Sequence, residues 1–99
     1  MDHLTDTIKA VVFSYAGGGF DLQTFKLADE DQKTFAVSVV DTPVRHHPPQ
    51  IMVMAHIEGD IVIIDEDLTD RPLVDALVSA GIPREKIVLA YANEPLPTI

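Results

Sequence analysis

AHIEGDIVIIDEDLTDRPLVDALVSAGIPREKIVLAYA, residues 55–92, is the segment that decides the fold. Within it, residues 61–64 (IVII) are apolar at every position, which is typical of a strand buried on both faces of a sheet. Residues 51–55 (IMVMA) have the same character. Gly59 lies between the two runs, where a tight hairpin needs a residue that tolerates positive φ. The pattern predicts two central strands that pair antiparallel.

A capped helix is predicted after the second of these strands. The chain turns polar over residues 65–68 (DEDL), which indicates an acidic loop. Thr69 or Asp70 can cap a helix there, with Pro72 tolerated in its first turn. One apolar stripe at helical spacing follows, made of Leu73, Val74, Leu77 and Val78. The helix is therefore expected over about residues 70–80.

Gly81 is expected to end this helix. A glycine suits the left-handed residue that follows a helix, and Ile82 can then contact Leu77 in a Schellman closure. Residues 87–91 (IVLAY) are apolar and β-branched, which predicts a last strand. The tail from Asn93 to Ile99 contains two prolines and is expected to be extended or loose.

The first half of the chain predicts a helix followed by two strands. Apolar residues from Leu4 to Tyr15 recur at the spacing of an amphipathic helix, and the glycines at 17–19 follow it. No lysine is adjacent to these glycines, so they indicate a C-cap and hinge rather than a phosphate loop. Strands are predicted over 20–27, at an edge or with a bulge, and over 35–40. The proline-rich stretch TPVRHHPPQ, residues 42–50, is predicted to be a loop.

Length and composition indicate one soluble α+β domain spanning residues 1–99. The chain is long enough to bury a single core. It has no cysteine, which excludes disulfides, thiol catalysis and cysteine-ligated metals. No apolar run approaches the roughly 20 residues that span a bilayer, and the polar start MDHLTDTIKA lacks a signal-peptide layout. A cytoplasmic location without membrane contact is therefore expected.

The charge balance argues against direct nucleic-acid binding. The formal net charge is −9, from 16 acidic and 7 basic residues. The lysines and arginines are scattered, whereas nucleic-acid affinity depends on clustered cations that neutralise phosphates. An acidic surface of this kind favours solubility or a basic protein partner.

Three histidines are the first candidate ligands. His46 and His47 lie in the proline-rich loop, and His56 lies near the end of a strand. Histidine is a common metal ligand, but this spacing matches none of the usual zinc motifs. A solvated polar loop with one histidine at a sheet end explains the pattern better than a metal site, so no metal ligand is assigned.

An acidic cluster is the second candidate site. It consists of Asp65, Glu66, Asp67 and Asp70. Carboxylates can hold a divalent cation, but the EF-hand loop needs a glycine at its sixth position, which here is Asp70. The cluster also precedes a predicted helix, where negative charge is favourable by about 0.3–1 kcal/mol. No serine lies in a nucleophile elbow, so no catalytic or cofactor-binding residue is assigned.

The second half of the chain resembles the XisI family, the element excision controlling factors known from cyanobacteria. The resemblance is carried by Gly59-Asp60-Ile61-Val62-Ile63, Thr69-Asp70, the run LVSAGIPREKIVLAY from Leu77 to Tyr91, and Pro95. That family's pattern passes through a histidine-bearing strand, a glycine turn, a short strand, a helix that starts at a threonine and an acidic residue, and a glycine-isoleucine-proline segment. Asp60 and Val62 replace the lysine and tryptophan that the family tends to have. The chain therefore resembles a divergent member.

The resemblance implies an α+β fold with an N-terminal helix, an antiparallel-rich sheet of about five strands, and a second helix before the last strand. It also implies a non-catalytic role in programmed excision of a DNA element, beside a recombinase and a second small factor, XisH. A protein partner, such as a XisH-like factor, is therefore expected.

Self-association is expected from the residues themselves. Hydrophobic residues make up 46% of the chain, and two helices must cover strands that are apolar on both faces. One sheet face or edge is then left for another chain. Two other classes stay open: a small metal-binding protein or enzyme that uses the loop histidines and acidic cluster, and a small subunit of a larger assembly.

Overall fold

The computed structural model describes residues 3–95, which form one five-stranded sheet and two α-helices. In chain order the elements are α1 (His3–Phe13), β1 (Leu22–Asp29), β2 (Thr34–Asp41), β3 (Gln50–Glu58), β4 (Ile61–Asp67), α2 (Leu73–Ser79) and β5 (Ile87–Leu89). The strands lie in the order β1-β2-β3-β4-β5. β1 to β4 pair antiparallel with one another, and β5 pairs parallel with β4. The predicted α+β fold with an antiparallel-rich sheet is confirmed.

The central hairpin joins β3 to β4 as predicted. Gly59 has a φ of 65°, the left-handed conformation that the tight turn needs. Val62, Ile63 and Ile64 are fully buried, although successive side chains of a strand point to opposite faces. β4 is therefore covered on both faces, as its continuous apolar run predicts.

α2 ends in the predicted Schellman closure. Gly81 has a φ of 103°, and its N–H donates to the Val78 carbonyl oxygen at 3.0 Å. The N–H of the buried Ile82 donates to the Leu77 carbonyl oxygen at 3.1 Å. These are the two hydrogen bonds of the motif. The closure directs the chain back across the sheet, which lets β5 pair parallel with β4.

Both helices pack on the same face of the sheet. The core on this face contains Ile8 and Val12 of α1, Leu73 and Leu77 of α2, and Phe35, Val37, Val53, Ala55, Ile57, Val62, Ile64 and Ile87 of the strands. The Phe13 ring meets the Phe35 ring edge-to-face, with centroids 6.2 Å apart. Neither α1 nor α2 is long and apolar enough to cross a membrane, and they are the α-helices of residues 3–95.

The predicted acidic loop over residues 65–68 is wrong for its first three residues, because residues 65–67 continue β4. The register between β3 and β4 shifts between Met54 and Ala55, where β4 holds one extra residue. Such a bulge lets a strand continue past a change in side-chain pattern. The strand is therefore longer than its apolar run.

The cap predicted at Thr69 or Asp70 is also wrong. α2 begins at Leu73, preceded by Pro72, which makes no side-chain capping bond. Instead the Leu73 N–H donates to Asp67 Oδ2 at 2.7 Å. The carboxylate at the end of β4 therefore satisfies the first amide of the helix across six residues of chain.

The glycine run does not cap α1, which ends at Phe13, and neither positive-φ glycine belongs to the run. The Gly17 N–H donates to Thr24 Oγ1 at 2.9 Å, and the Gly19 N–H donates to the Leu22 carbonyl oxygen at 3.2 Å. The glycines therefore lie along the beginning of β1.

The edge position predicted for the first strand is confirmed, since within residues 3–95 β1 pairs with β2 alone. β1 starts at Leu22, two residues later than predicted, and its pairing with β2 is continuous. The last strand ends at Leu89, because Ala90–Ala92 forms a 3-10 turn. The predicted loose tail is described only to residue 95, and residues 96–99 lie outside the described part of the chain.

Candidate functional site: the helix-free face of the sheet

Neither of the two α-helices in residues 3–95 packs on the second face of the sheet, which we call the helix-free face. The strand register places on it Gln23, Phe25, Leu27 and Asp29 of β1, Thr34, Ala36, Ser38 and Val40 of β2, Ile51, Met54, His56 and Glu58 of β3, Ile61, Ile63, Asp65 and Glu66 of β4, and Val88 of β5. Two register shifts determine this set. One brings Ile51 onto the same face as Met54, and the other places Glu66 opposite Met54. Asp65, the extra residue at the second shift, contacts His56.

Exposed apolar side chains of this face lie on β1, beside partly buried apolar side chains of β3. Phe25 and Leu27 expose 45% and 44% of their surface. Leu27 also lines a shallow depression of about 310 Å³ together with Ala36, Ile51 and Met54. Large apolar side chains left open side by side on a sheet are typical of an interaction surface.

A histidine held between two carboxylates lies beside this depression. His56 Nδ1 is 2.6 Å from Asp65 Oδ2, and His56 Nε2 is 3.0 Å from Glu58 Oε2. Ionised carboxylates only accept hydrogen bonds, so both contacts are satisfied when both ring nitrogens carry a proton. The geometry favours the imidazolium form of His56, which links the side chains of β3 and β4.

The pKa of His56 is raised above its usual value of 6.5. Partial burial acts to lower this pKa, but hydrogen bonds to Asp65 and Glu58 and the charges of both carboxylates outweigh the burial. About 25% of the His56 side-chain surface is exposed, so solvent screens these interactions only in part.

Stability is expected to depend on pH through His56. Because its folded-state pKa lies above the unfolded value, its contribution is fully present below about pH 6.5 and is lost as pH rises through the folded-state pKa. The parent protein should therefore have a higher free energy of unfolding than His56→Gln, and this difference should be larger at about pH 6 than at about pH 9. Urea titrations of both proteins at the two pH values measure this difference.

His46→Gln is the matched control for this experiment. His46 is exposed, and its backbone N–H, rather than its ring, donates to Asp41 Oδ2. Its substitution should leave the free energy of unfolding nearly unchanged at both pH values. A gap between the parent and His56→Gln that stays constant or widens as pH rises would contradict the assignment.

An acidic depression of about 750 Å³ adjoins His56. The carboxylates that line it belong to Asp29, Asp31, Glu58 and Asp65. It shares Asp29, Thr34 and Met54 with the apolar depression, so the two form one continuous surface. Lys33, in the turn between β1 and β2, also lines it.

Lysine and arginine are nearly absent from the strands. Lys26 is the only one within the five strands of residues 3–95, and its Nζ lies 5.8 Å from the centre of the Phe13 ring, on the helix-covered face. Outside the strands, cations form ion pairs in Lys9–Glu30, Arg84–Glu94 and Lys86–Asp60. The strands therefore give the helix-free face apolar and acidic side chains without a lysine or arginine.

The two loop histidines gather around one carboxylate. Asp41 Oδ2 accepts the backbone N–H of His46 and of His47, each at 3.0 Å, and His47 Nδ1 lies 3.0 Å from the same oxygen. The His47 ring contributes most to holding the pKa of Asp41 below its usual range, and the His46 N–H contributes next. These contacts organise the loop after β2. They do not bring His46 or His47 to His56, which lies among the side chains of the helix-free face.

The members of the acidic cluster contact different parts of the structure. Asp65 contacts His56, whereas Asp67 accepts the N–H of Leu73 and both the N–H and the hydroxyl of Thr69. Asp70 is exposed. Within residues 3–95 the structure contains no group of three or more histidine or carboxylate side chains that could hold a metal ion.

The outer edge of β1 has no neighbouring strand in the described part of the chain. The strand has eight residues, and all but Thr24 are exposed. The glycine run covers the backbone near Leu22 and Thr24, so the remainder of the edge, from Phe25 to Asp29, is the accessible part. An edge of this kind can pair with another chain.

Comparison with known proteins gives a consistent set of relatives. The family model described as XisI protein matches residues 1–97. The chain is similar to the solved structure of a XisI-like protein from Anabaena variabilis ATCC 29413, with 22% identity, a TM-score of 0.72, and coverage of 86% of this chain and 81% of that chain. It is also similar to the fdxN element excision controlling factor XisI of the same organism, with 22% identity, a TM-score of 0.71, and coverage of 90% and 84%. A comparison with curated proteins gave no match.

Proposed function

The chain belongs to the XisI family, and we propose that it is a regulatory accessory protein that acts by binding other proteins. One structure that it resembles is described as a controlling factor for excision of the fdxN element. A corresponding role here is to control the assembly that excises a DNA element, without taking part in the chemistry of strand cleavage. The partner we propose is a protein, such as a XisH-like factor, rather than DNA.

The observation that carries this proposal is the helix-free face. Two helices bury one face of the sheet, while Phe25 and Leu27 stay open on the other. A sheet of this type is usually packed between layers, because each apolar face is stabilised by removal from water. β4 is covered on both faces, so the part of the helix-free face that another protein can cover is the exposed part near β1.

The charge of the chain supports a basic partner. The net charge of −9 attracts a cationic protein over distances of about one Debye length, roughly 8–10 Å at physiological salt. Such attraction raises association rates more than it lowers dissociation rates. Association with the partner is therefore expected to slow as salt concentration rises.

Self-association is the second part of the proposal, and the edge of β1 supports it. Two copies can pair their β1 strands antiparallel and extend the sheet across a two-fold axis. This contact uses backbone groups from Phe25 to Asp29 and leaves the helix-free face available. A homo-oligomer can thus bind its partner at the same time.

Two measurements test the proposed function. Tagged protein is expressed in its native host, and the proteins that co-purify are identified by mass spectrometry; light scattering gives the mass of the purified protein. We expect a specific, salt-sensitive protein partner and a mass above that of one 10.9 kDa chain. A monomer that retains no host protein, yet turns over a small molecule in a substrate screen, would overturn the proposal.

A further inference from the structure

We propose that the helix-free face binds a basic amphipathic helix of the partner protein, with the helix's apolar side chains over β1–β3 and an arginine or lysine in the acidic depression. This inference rests on the proposed function, because it assigns the surface and the chemistry of the partner. Three features of the described residues carry it: the continuity of the two depressions, the charges around them, and the residues at their junction.

The two depressions adjoin each other, and this determines the spacing of the ligand side chains that can fill both. The apolar depression of about 310 Å³ and the acidic depression of about 750 Å³ share Asp29, Thr34 and Met54. A side chain that fills the first therefore lies directly beside one that enters the second. On a helix, residues three or four apart project as neighbours about 5–6 Å apart. An apolar residue followed at that spacing by a cation fits both depressions.

Charge selects between a basic partner and a second copy of this chain. The helix-free face carries Asp29, Glu58 and Asp65, and Asp31 lies in the adjoining turn. Two such faces packed together would bring like charges into a partly dehydrated interface, which is unfavourable. A helix flanked by arginine or lysine instead supplies the cations that the strands do not place on this face.

His56 prepares the acidic depression for one cation. As an imidazolium it offsets part of the charge of Asp65 and Glu58 and fixes the orientation of both. The carboxylates of Asp29 and Asp31, nearer the β1–β2 turn, line the rest of the acidic depression together with Lys33. Met54 lies at the junction of the two depressions, where its flexible thioether can adapt to the apolar residue of the ligand.

The probe for this proposal is a synthetic peptide of about five helical turns. It carries a leucine stripe flanked by lysine and arginine, and a matched peptide has glutamate at every basic position. Fluorescence anisotropy measures the Kd of each peptide, and amide chemical shifts map the contact. We expect the basic peptide to bind with shifts confined to β1–β4, and the glutamate peptide not to bind.

Two pairs of variants separate the site from general charge effects. Leu27→Lys and Val78→Lys introduce the same charge at side chains of nearly equal exposure, 44% on the helix-free face and 43% on α2. Asp31→Lys and Asp70→Lys reverse one exposed carboxylate inside and outside the acidic depression. The first variant of each pair should weaken peptide binding by about tenfold or more, and the second should leave it within about twofold.

Several outcomes would overturn the inference. Equal loss of affinity within each pair would show that binding follows net charge alone. Equal binding of the glutamate peptide, or no binding of the basic peptide, would exclude the stated ligand chemistry. A dimer whose concentration-dependent amide shifts map to β3 and β4 rather than to the edge of β1 would show that a second copy covers the face. If the partner captured from the host binds Leu27→Lys as well as the parent, the surface is wrong and the proposed function stands; if the parent captures no partner, the proposed function fails.

Discussion

Phe35→Ala is expected to lower the free energy of unfolding by about 3–5 kcal/mol. Phe35 is fully buried, and its ring packs edge-to-face against Phe13 of α1. The substitution removes apolar area and leaves a cavity between the sheet and the helix, which neighbouring side chains fill only in part. A domain of this size is commonly stable by about 5–15 kcal/mol, so the loss is a large fraction of the total. Urea unfolding followed by circular dichroism measures it.

Phe25→Ala is the matched control, because it makes the same change on the adjacent strand. Phe25 lies on the helix-free face and exposes 45% of its surface. Its loss should change the free energy of unfolding by about 0.5 kcal/mol or less. Similar losses in the two variants would show that the two faces are equally covered, and the helix-free face would then not be open. If Phe35→Ala does not fold, Phe35→Leu should still cost about 1.5 kcal/mol or less.

The comparison of the two phenylalanines also shows what the sequence could predict. Phe25 lies in the mixed stretch LQTFKL, residues 22–27, and Phe35 lies in an alternating stretch, and both stretches predict a strand. Periodicity alone does not say which face the helices cover. That choice follows from the positions of α1 and α2, both of which pack on Phe35's side. Sequence therefore predicted an open face or edge, but not which residues line it.

The candidate site was missed for a related reason. His56 and Glu58 are two residues apart on one strand, so their common face follows from the sequence. Alternation along β4 also places Asp65 on that face, provided that the strand continues past Ile64. The sequence predicted that the strand ends at Ile64, because its apolar run ends there. Residues 65–67 were therefore predicted as a loop, and the contact between His56 and Asp65 was not foreseen.

Single residues predicted local structure correctly where that residue type has one physical role. Gly59 and Gly81 both adopt positive φ, and the turn and helix end that they predicted are present. The glycine run failed as a signal because three adjacent glycines suit several structures. There, tertiary contacts with Thr24 and Leu22 decide the conformation. A lone glycine between strong periodic elements was the more reliable guide.

The two helices cover the core and also hold in place the strands that form the helix-free face. α2 contacts β4 and α1, and α1 contacts β2 and β3. Together they hold the strands that carry Met54, His56 and Asp65. A change that loosens the start of α2 should therefore reduce stability without touching the proposed binding surface.

Asp67→Ala is the second large effect expected, with a loss of about 1.5–3 kcal/mol in the free energy of unfolding. The carboxylate accepts the Leu73 N–H at 2.7 Å, and the N–H and hydroxyl of Thr69 at 2.9 and 2.7 Å. Alanine leaves the first amide of α2 and both donors of Thr69 without this acceptor. Asp67→Asn keeps one oxygen, so its loss should be intermediate. Urea unfolding measures all three proteins.

Asp70→Ala is the control for Asp67→Ala, because the sequence predicted Thr69 or Asp70 as the cap of α2 and the structure shows Asp67 in this role. Asp70 is exposed and lies three residues after Asp67. Asp70→Ala removes the same single negative charge, and it should lower the free energy of unfolding by about 0.5 kcal/mol or less. Equal losses for Asp67→Ala and Asp70→Ala would show that charge near the helix start matters rather than the hydrogen bonds of Asp67. Asp67→Ala should also bind the basic peptide with the parent's Kd, because this side chain serves α2. A weakened Kd in a folded Asp67→Ala protein would mean that the start of α2 belongs to the binding surface.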